Sequence, residues 1–413
     1  VLVYEFTDGG LSGLDDFTAV IWPRDKEQFS RNTQGKFYGV GIQISRRDGR
    51  LLVVSPLANT PAMKAGIKAG DVIARVDGTP TADWTLDKAV REITGPENTD
   101  VTLGIERAGA KELLKFTITR AEIPIESIRG WSHKPDGEWN FIIDEEAGIG
   151  YVRLSQFIPQ SADDLDAAFK HMRDELGGRE VRGLILDLRF NPGGLLSSAI
   201  DITDRFIGSG PIVSTVAGDG SRTGQANAKG NTTYPNIPVA VLINQGSASA
   251  SEIVSGALQD YHRALIVGQR SFGKGSVQDL YAIDRGAAYL KLTTQYYKLP
   301  KGRIIHREPK DTEWGIEPDL KVNVTAQQVA DMIEVRQAAD VLHAEDAPAP
   351  GNAPAPGNAP VEDDAEGEPP AKLQDILTKS LDPQLEAAIL AIKTRLAVGN
   401  LALVKSGESA RKE

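Results

Sequence analysis

The sequence predicts a mixed α/β protein: a small β-rich unit, a larger unit built on a central, largely parallel sheet, and helical segments at the N- and C-terminal ends. Three observations carry that expectation. Between residues 149 and 267, short continuous apolar runs alternate with stretches of helical length, the pattern of strands covered on both faces. Residues 35–119 instead hold short β-rich runs broken by glycine. At 413 residues the chain is too long for one ordinary core and ample for two or three domains.

Taken in order, residues 1–34 read as a mostly helical, polar lead-in. In the unit 35–119, Phe37-Tyr38-Gly39-Val40-Gly41-Ile42 is a glycine-broken apolar run and Leu51 to Val54 is β-rich. Pro61 to Gly66 reads as a short helix stopped by glycine, and Asp71 to Gly78 as a strand with a turn. Leu86, Ala89, Val90 and Ile93 recur at helical spacing, and Val101 to Ile105 and Leu113 to Ile118 are further strands. In the unit 120–325, the strands are Ile149 to Leu154, Gly183 to Leu188, Val239 to Ile243 and Ala264 to Val267. Helices are expected over Ala162 to Leu176, Gly194 to Ile207 and Ser249 to Tyr261. Residues 288–297 alternate, as an outer antiparallel pair does. A helix is expected over 326–346. Residues 347–371 form an Ala/Pro/Gly-rich, then acidic, linker that cannot build a core, and 372–413 a helical C-terminal segment entered at Leu381-Asp382-Pro383.

Composition narrows the function. A net charge of −11 without a basic tract argues against nucleic acid. The absence of cysteine excludes a thiol nucleophile, a thiolate metal site and a disulfide. The five histidines show no metal-ligand spacing, so no metal and no cofactor are expected.

The chemistry concentrates in two segments. Ser247-Ala248-Ser249-Ala250-Ser251-Glu252 lies where the strand 239–243 gives way to a helix. Ser249 with Glu252 fits a capping box, and the same helix start offers free N–H groups for a developing oxyanion, so cap and nucleophile are both open. Phe272-Gly273-Lys274-Gly275 follows the strand 264–267. Lys274 reads either as a solvated turn lysine or, if dry, as a general base for a serine. The stretch from Gly268 to Gly275 nearly matches a phosphate-binding loop, but the metal-binding Ser/Thr position is Gly275 and a β-like run follows, which opposes a nucleotide site.

On these residues the chain resembles the carboxyl-terminal processing (tail-specific) proteases, over most of residues 14–325. Asn244 to Ile253 and Ser271 to Gln278 resemble that family's two catalytic motifs, in order. The resemblance implies a serine endopeptidase with Ser249 as nucleophile, Lys274 as base and Gln278 as the residue that orients the lysine. Asp187-Leu188-Arg189-Phe190-Asn191-Pro192-Gly193-Gly194 resembles the family's strand-end loop, which implies that Gly193 or Gly194 joins the Ala250 N–H in an oxyanion hole. Residues 35–119 resemble a PDZ domain. This implies that Tyr38, Gly39, Val40, Gly41 and Ile42 hold the C-terminus of a protein or peptide with a free, apolar tail, and that Leu86 and Val90 wall its groove. The resemblance also favours an exported or cell-envelope protein and is compatible with peripheral membrane contact. The competing expectation is a PDZ scaffold that binds tails without cleaving them.

Overall fold

The computed structural model describes residues 2–26, 29, 36–47, 49–57, 59–134, 137–230, 233–234, 236–341 and 380–409. The linker expected over 347–371 lies outside them, as do 342–346 and 372–379.

The larger unit is organised by a sheet whose main order is Ile128–Arg129, Ile149–Leu154, Gly183–Asp187, Val239–Ile243, Ala264–Gly268 and Leu320–Lys321. Every step from Ile149–Leu154 onward is parallel; Ile128–Arg129 and Ile142–Asp144 pair antiparallel at one side. Gly183–Asp187 and Val239–Ile243 are buried at every position, which explains their continuous apolar runs. Alternate residues face different cores. Leu184, Leu186, Val241 and Ile243 pack with Leu165, Phe169, Val254 and Leu258 of the helices Ser161–Glu175 and Ala250–Asp260. Ile185, Ala240, Leu242 and Val267 pack with Val335, Leu385, Ala388 and Ile392 of the helices Ala326–Ala339 and Pro383–Ser409. The C-terminal helix lies so close that a Cβ on Gly183 would come within 2.4 Å of Ile392.

A second, antiparallel sheet holds Ala19–Ile21, Ala288–Lys298, Pro211–Ala217 and Arg222–Asn227, with Ser276–Ile283 also paired to Ala288–Lys298. This corrects the reading of residues 1–34 as mostly helical. After the helix Leu2–Leu11 the chain becomes a strand, Ala19 opposite Lys291 and Ile21 opposite Tyr289. Three residues, two of them β-branched, make no pattern alone; the distant partner supplies their hydrogen bonds.

The β-rich unit has its own core of Leu51, Val53, Ile73, Ala89, Ile93, Leu103 and Ile105. Its sheet runs Ile42–Arg47, Arg50–Pro56, Val72–Val76, Asp100–Glu106, Leu114–Thr119. Ile42–Arg47 is the end strand on this path, with the helix Leu86–Ile93 near it. Lys36–Gly39 pairs separately with Ala121–Pro124.

Candidate active site

Three loops leave the carboxyl ends of three adjacent parallel strands: 188–194 after Gly183–Asp187, 244–249 after Val239–Ile243, and 269–275 after Ala264–Gly268. Loops at this end of a parallel sheet form its ligand crevice. They are laced together. Ala248 N–H donates to Asn191 O at 3.0 Å and Phe272 N–H to Ser247 O at 3.0 Å. Phe190 N–H donates to Asn244 Oδ1 at 2.9 Å.

The three serines of the middle loop separate by role. Ser247 Oγ donates to Leu188 O at 2.8 Å and accepts from Asn244 N–H at 2.9 Å, while Ser251 Oγ donates to Asn191 O at 2.9 Å. Both are structural pins. Ser249 stands between them with φ 57° and ψ −113°, a left-handed conformation on a non-glycine residue. Such strain costs about 1–3 kcal/mol and concentrates at functional sites. A strained serine where a strand turns into a helix is the geometry of a nucleophile elbow. The Tyr297 hydroxyl is engaged with the Ser249 side chain; burial pushes that phenol above its ordinary value, the nearby Glu252 charge adding to the push and the Ser249 hydrogen bond opposing it.

Glu252 does more than cap. Its fully buried carboxylate accepts from Ser249 N–H (2.8 Å) and Lys274 N–H (2.8 Å) on Oε2, and from Gly273 N–H (2.7 Å) and Ser271 Oγ (2.5 Å) on Oε1. One carboxylate thus joins the serine turn to the lysine loop. Burial pushes its pKa up, against those four donors. The sequence carried the signal, Ser-x-x-Glu, but only tertiary placement shows the second set of partners.

Lys274 is half-buried, and burial pushes its amine below the ordinary lysine value; Lys291 pushes the same way and Glu252 opposes. Its Nζ sits 4.9 Å from the centre of the Phe17 ring. Gln278 donates through Nε2 to Ser276 Oγ (2.8 Å) and Thr293 Oγ1 (3.2 Å). Among the described residues no hydrogen bond joins Lys274 Nζ to Ser249 or to Gln278. Among the described residues His306 is the histidine beside this loop, its ring 6.1 Å from that of Phe17, and burial pushes its imidazole down.

The glycine pair closes the site from the first loop. A Cβ on Gly193, φ +102°, would lie 2.8 Å from both Ala248 O and Ser249 Cβ and 3.0 Å from Ala250 N, so only glycine fits. Its N–H donates to Asn191 Oδ1 at 2.8 Å. Gly194 bridges Phe157 through its neighbours, the Gly193 carbonyl and the Leu195 N–H, which turns its own N–H to the other side.

In the β-rich unit, Gly41 has φ +80° and lies against Thr60, where a Cβ would come within 2.3 Å. Val40 is buried in that unit's core, so its side chain is structural and only its backbone faces the loop. Of the helix residues, Ala89 and Ile93 are core, while Leu86 is exposed and Val90 half-buried beside the end strand. A cavity of about 680 Å³ separates the two units, with Gln43, Ile44 and Val54 on one side and Arg153, Arg189 and Phe190 on the other. Among the described residues, no cluster of His, Asp and Glu could hold a metal ion, and no helix is long and apolar enough to cross a membrane.

The family model for peptidase family S41 matches residues 148–322 and that for the PDZ domain residues 28–106. The carboxy-terminal-processing protease of Bartonella bacilliformis is 39% identical over 321 residues, 78% of this chain and 69% of that protein. The carboxyl-terminal-processing protease of Synechocystis sp. is 36% identical over 337 residues, 80% of this chain and 73% of that protein. Among solved structures, the photosystem II D1 C-terminal processing protease shares 29% identity, with 78% of this chain and 81% of that one covered and a TM-score of 0.44. The family models and these relatives define a serine-type peptidase with a PDZ domain. The chain belongs to the carboxyl-terminal processing protease family.

Proposed function

We propose that this peptidase hydrolyses peptide bonds with Ser249 as nucleophile and Lys274 as general base, on protein substrates whose free C-terminal tails are held by the PDZ domain. The observation that carries this reading is the shared oxygen of Glu252. Because Ser249 N and Lys274 N both lie 2.8 Å from one atom, the two backbones are at most twice that distance apart.

For the chemistry, the Lys274 amine must be neutral near pH 7, which requires its pKa to fall well below the ordinary lysine value. Burial and Lys291 both act in that direction. The amine then leaves the Phe17 ring and takes the proton from Ser249 Oγ as the oxygen attacks the substrate carbonyl. Resting catalytic contacts are commonly loose and tighten on substrate. The Ala250 N–H and a glycine N–H hold the oxyanion; Gly194 suits this better than Gly193, whose N–H already serves Asn191. Lys274 gives its proton to the leaving amine. It then takes one from water as water attacks the ester, and passes it to Ser249 Oγ as the acyl–oxygen bond breaks, which restores the serine.

The tail reading rests on the open edge of Ile42–Arg47. A peptide can add to that edge as a further strand, with its carboxylate at the Gly39–Ile42 turn and side chains against Leu86 and Val90. The cavity lined by Gln43 and Phe190 offers a route from there toward the strand-end loop beside Ser249. Phe190 and Phe272, both exposed on loops flanking the serine turn, supply apolar walls for the residues being cut.

The test compares a peptide carrying a free apolar C-terminus with its amidated twin, using the wild type, Ser249→Ala and Lys274→Ala. Cleavage of the free-tailed peptide by the wild type alone is expected. Near-normal cleavage by Lys274→Ala removes the base assignment. Equal cleavage of both peptides removes tail reading, and binding without any cleavage returns the scaffold alternative.

A further inference from the structure

The geometry points to the segment Asp15–Ile21 as part of the base side of the active site, with Phe17 seating the Lys274 amine and Asp15, acting through Thr293, fixing the amide of Gln278. This rests on Lys274 being the base. Neither matched family region, 28–106 or 148–322, includes residues 15–21.

The segment is held by more than proximity. Ala19–Ile21 pairs with Ala288–Lys298 in a register that sets Ala19 opposite Lys291. Just before the strand, Asp15 accepts from Phe17 N–H at 2.6 Å, Thr18 N–H at 2.8 Å and Thr18 Oγ1 at 2.6 Å. Thr18 Oγ1 in turn accepts from Thr293 N–H at 3.1 Å. These bonds pin the turn, and in it the Phe17 ring lies under Lys274 Nζ at 4.9 Å. A ring there keeps water from one side of the amine and offers its negative face to the ammonium form. The charged and titratable groups around this spot are Lys291 on the paired strand, Glu252 at the helix start, Asp15 itself, Asp16, and His306 beyond Phe17 with Glu308 and Asp311 near it.

The Asp15 contact fixes a direction of hydrogen bonding. A carboxylate only accepts, so Thr293 Oγ1 donates to Asp15 Oδ1 at 3.2 Å. That hydroxyl then presents a lone pair to Gln278 Nε2, at 3.2 Å, while Ser276 Oγ takes the second N–H at 2.8 Å. With both N–H groups used, the part of Gln278 left for a lysine is its oxygen, the acceptor that an ammonium requires. Asp15 thus sets which end of the Gln278 amide can meet Lys274, and both are positioning residues.

The experiment measures kcat/KM for a cleavable free-tailed peptide, and the rate of labelling of Ser249 by a fluorophosphonate, against pH. The variants are Phe17→Ala, Phe17→Leu, Asp15→Asn and Lys274→Ala, with Phe6→Ser, on the exposed first helix, as the control. Phe17→Ala admits water, so the acid limb of both profiles moves to higher pH, with ~10-fold loss at neutral pH per unit moved. Phe17→Leu keeps the cover without the ring face, so the limb holds or moves down. Asp15→Asn can donate to Thr293, which frees the amide to invert and lowers both rates across the pH range. If Phe17→Ala does not fold, as judged by its thermal transition, the other two decide. Wild-type profiles in the folded Phe17 and Asp15 variants, with Lys274→Ala inactive, overturn this inference alone. Activity in Lys274→Ala overturns the base assignment beneath it.

Discussion

Ser249 and Lys274 are tethered through their backbones to one atom, Oε2 of Glu252, each N–H at 2.8 Å. Serine turn and lysine loop are consequently one mechanical unit, although no hydrogen bond joins the two side chains among the described residues. The carboxylate that welds them is fully buried and faces donors only.

Glu252→Gln is therefore expected to cost about 2–4 kcal/mol of stability and most of the peptidase activity. An amide in that place sets its own N–H groups against N–H and O–H donors. Chemical denaturation read beside peptide cleavage checks this; an active, equally stable Gln variant contradicts the weld.

Lys274→Met should be inactive yet more stable than the wild type at pH 7, by about 0.5–2 kcal/mol. The sign follows from linkage. Burial lowers the folded-state pKa of Lys274, so the folded form is relatively favoured above the ordinary lysine value. That advantage is lost as pH falls through the lowered one. At neutral pH the unfolded chain's amine carries a charge that folding must bury or remove, a cost that methionine does not have. Denaturation midpoints at pH 7 and pH 10 should differ more for Met against wild type at the lower pH.

The backbone of Ser249 makes a separate forecast. At φ 57° glycine is at ease and alanine is not, so Ser249→Gly should exceed Ser249→Ala in stability by about 1 kcal/mol, both being inactive. Equal melting temperatures in the two variants count against strain at this position.

In the PDZ unit, if the proposed tail reading holds, Leu86→Ser and Val90→Ser should raise KM for a free-tailed peptide by ~10-fold or more while leaving the melting temperature within a few degrees, because both lie outside the buried face of their helix. Ile93→Ser should do the reverse in kind, lowering stability first, since Ile93 is buried with Leu103 and Ile105. Titrating peptide against each variant in both assays separates groove from core.

The parallel strands were legible because burial on both faces writes itself as an uninterrupted apolar run, as in Val239–Ile243. The serine and lysine loops were legible through their small residues. What could not be read depends on partners distant in the chain. Arg222–Asn227 is polar and half-exposed and forms a strand only because Pro211–Ala217 pairs with it. Tyr297 looks like any strand tyrosine until the fold sets it against Ser249. Phe17 and Asp15 carry no local motif, and Glu252 shows a helix-cap signature that hides its bonds to Ser271, Gly273 and Lys274.

The strand Ala19–Ile21 carries a consequence for synthesis. Asp15 and Thr293, which hydrogen-bond in the finished fold, are 278 residues apart. At typical translation rates the first waits on the order of tens of seconds for the second to leave the ribosome. Ser249 emerges earlier, into a chain whose Lys274 loop still lacks its flanking strand. The contacts of Asp15 therefore close only after residue 293 has left the ribosome, late in the making of the two matched regions.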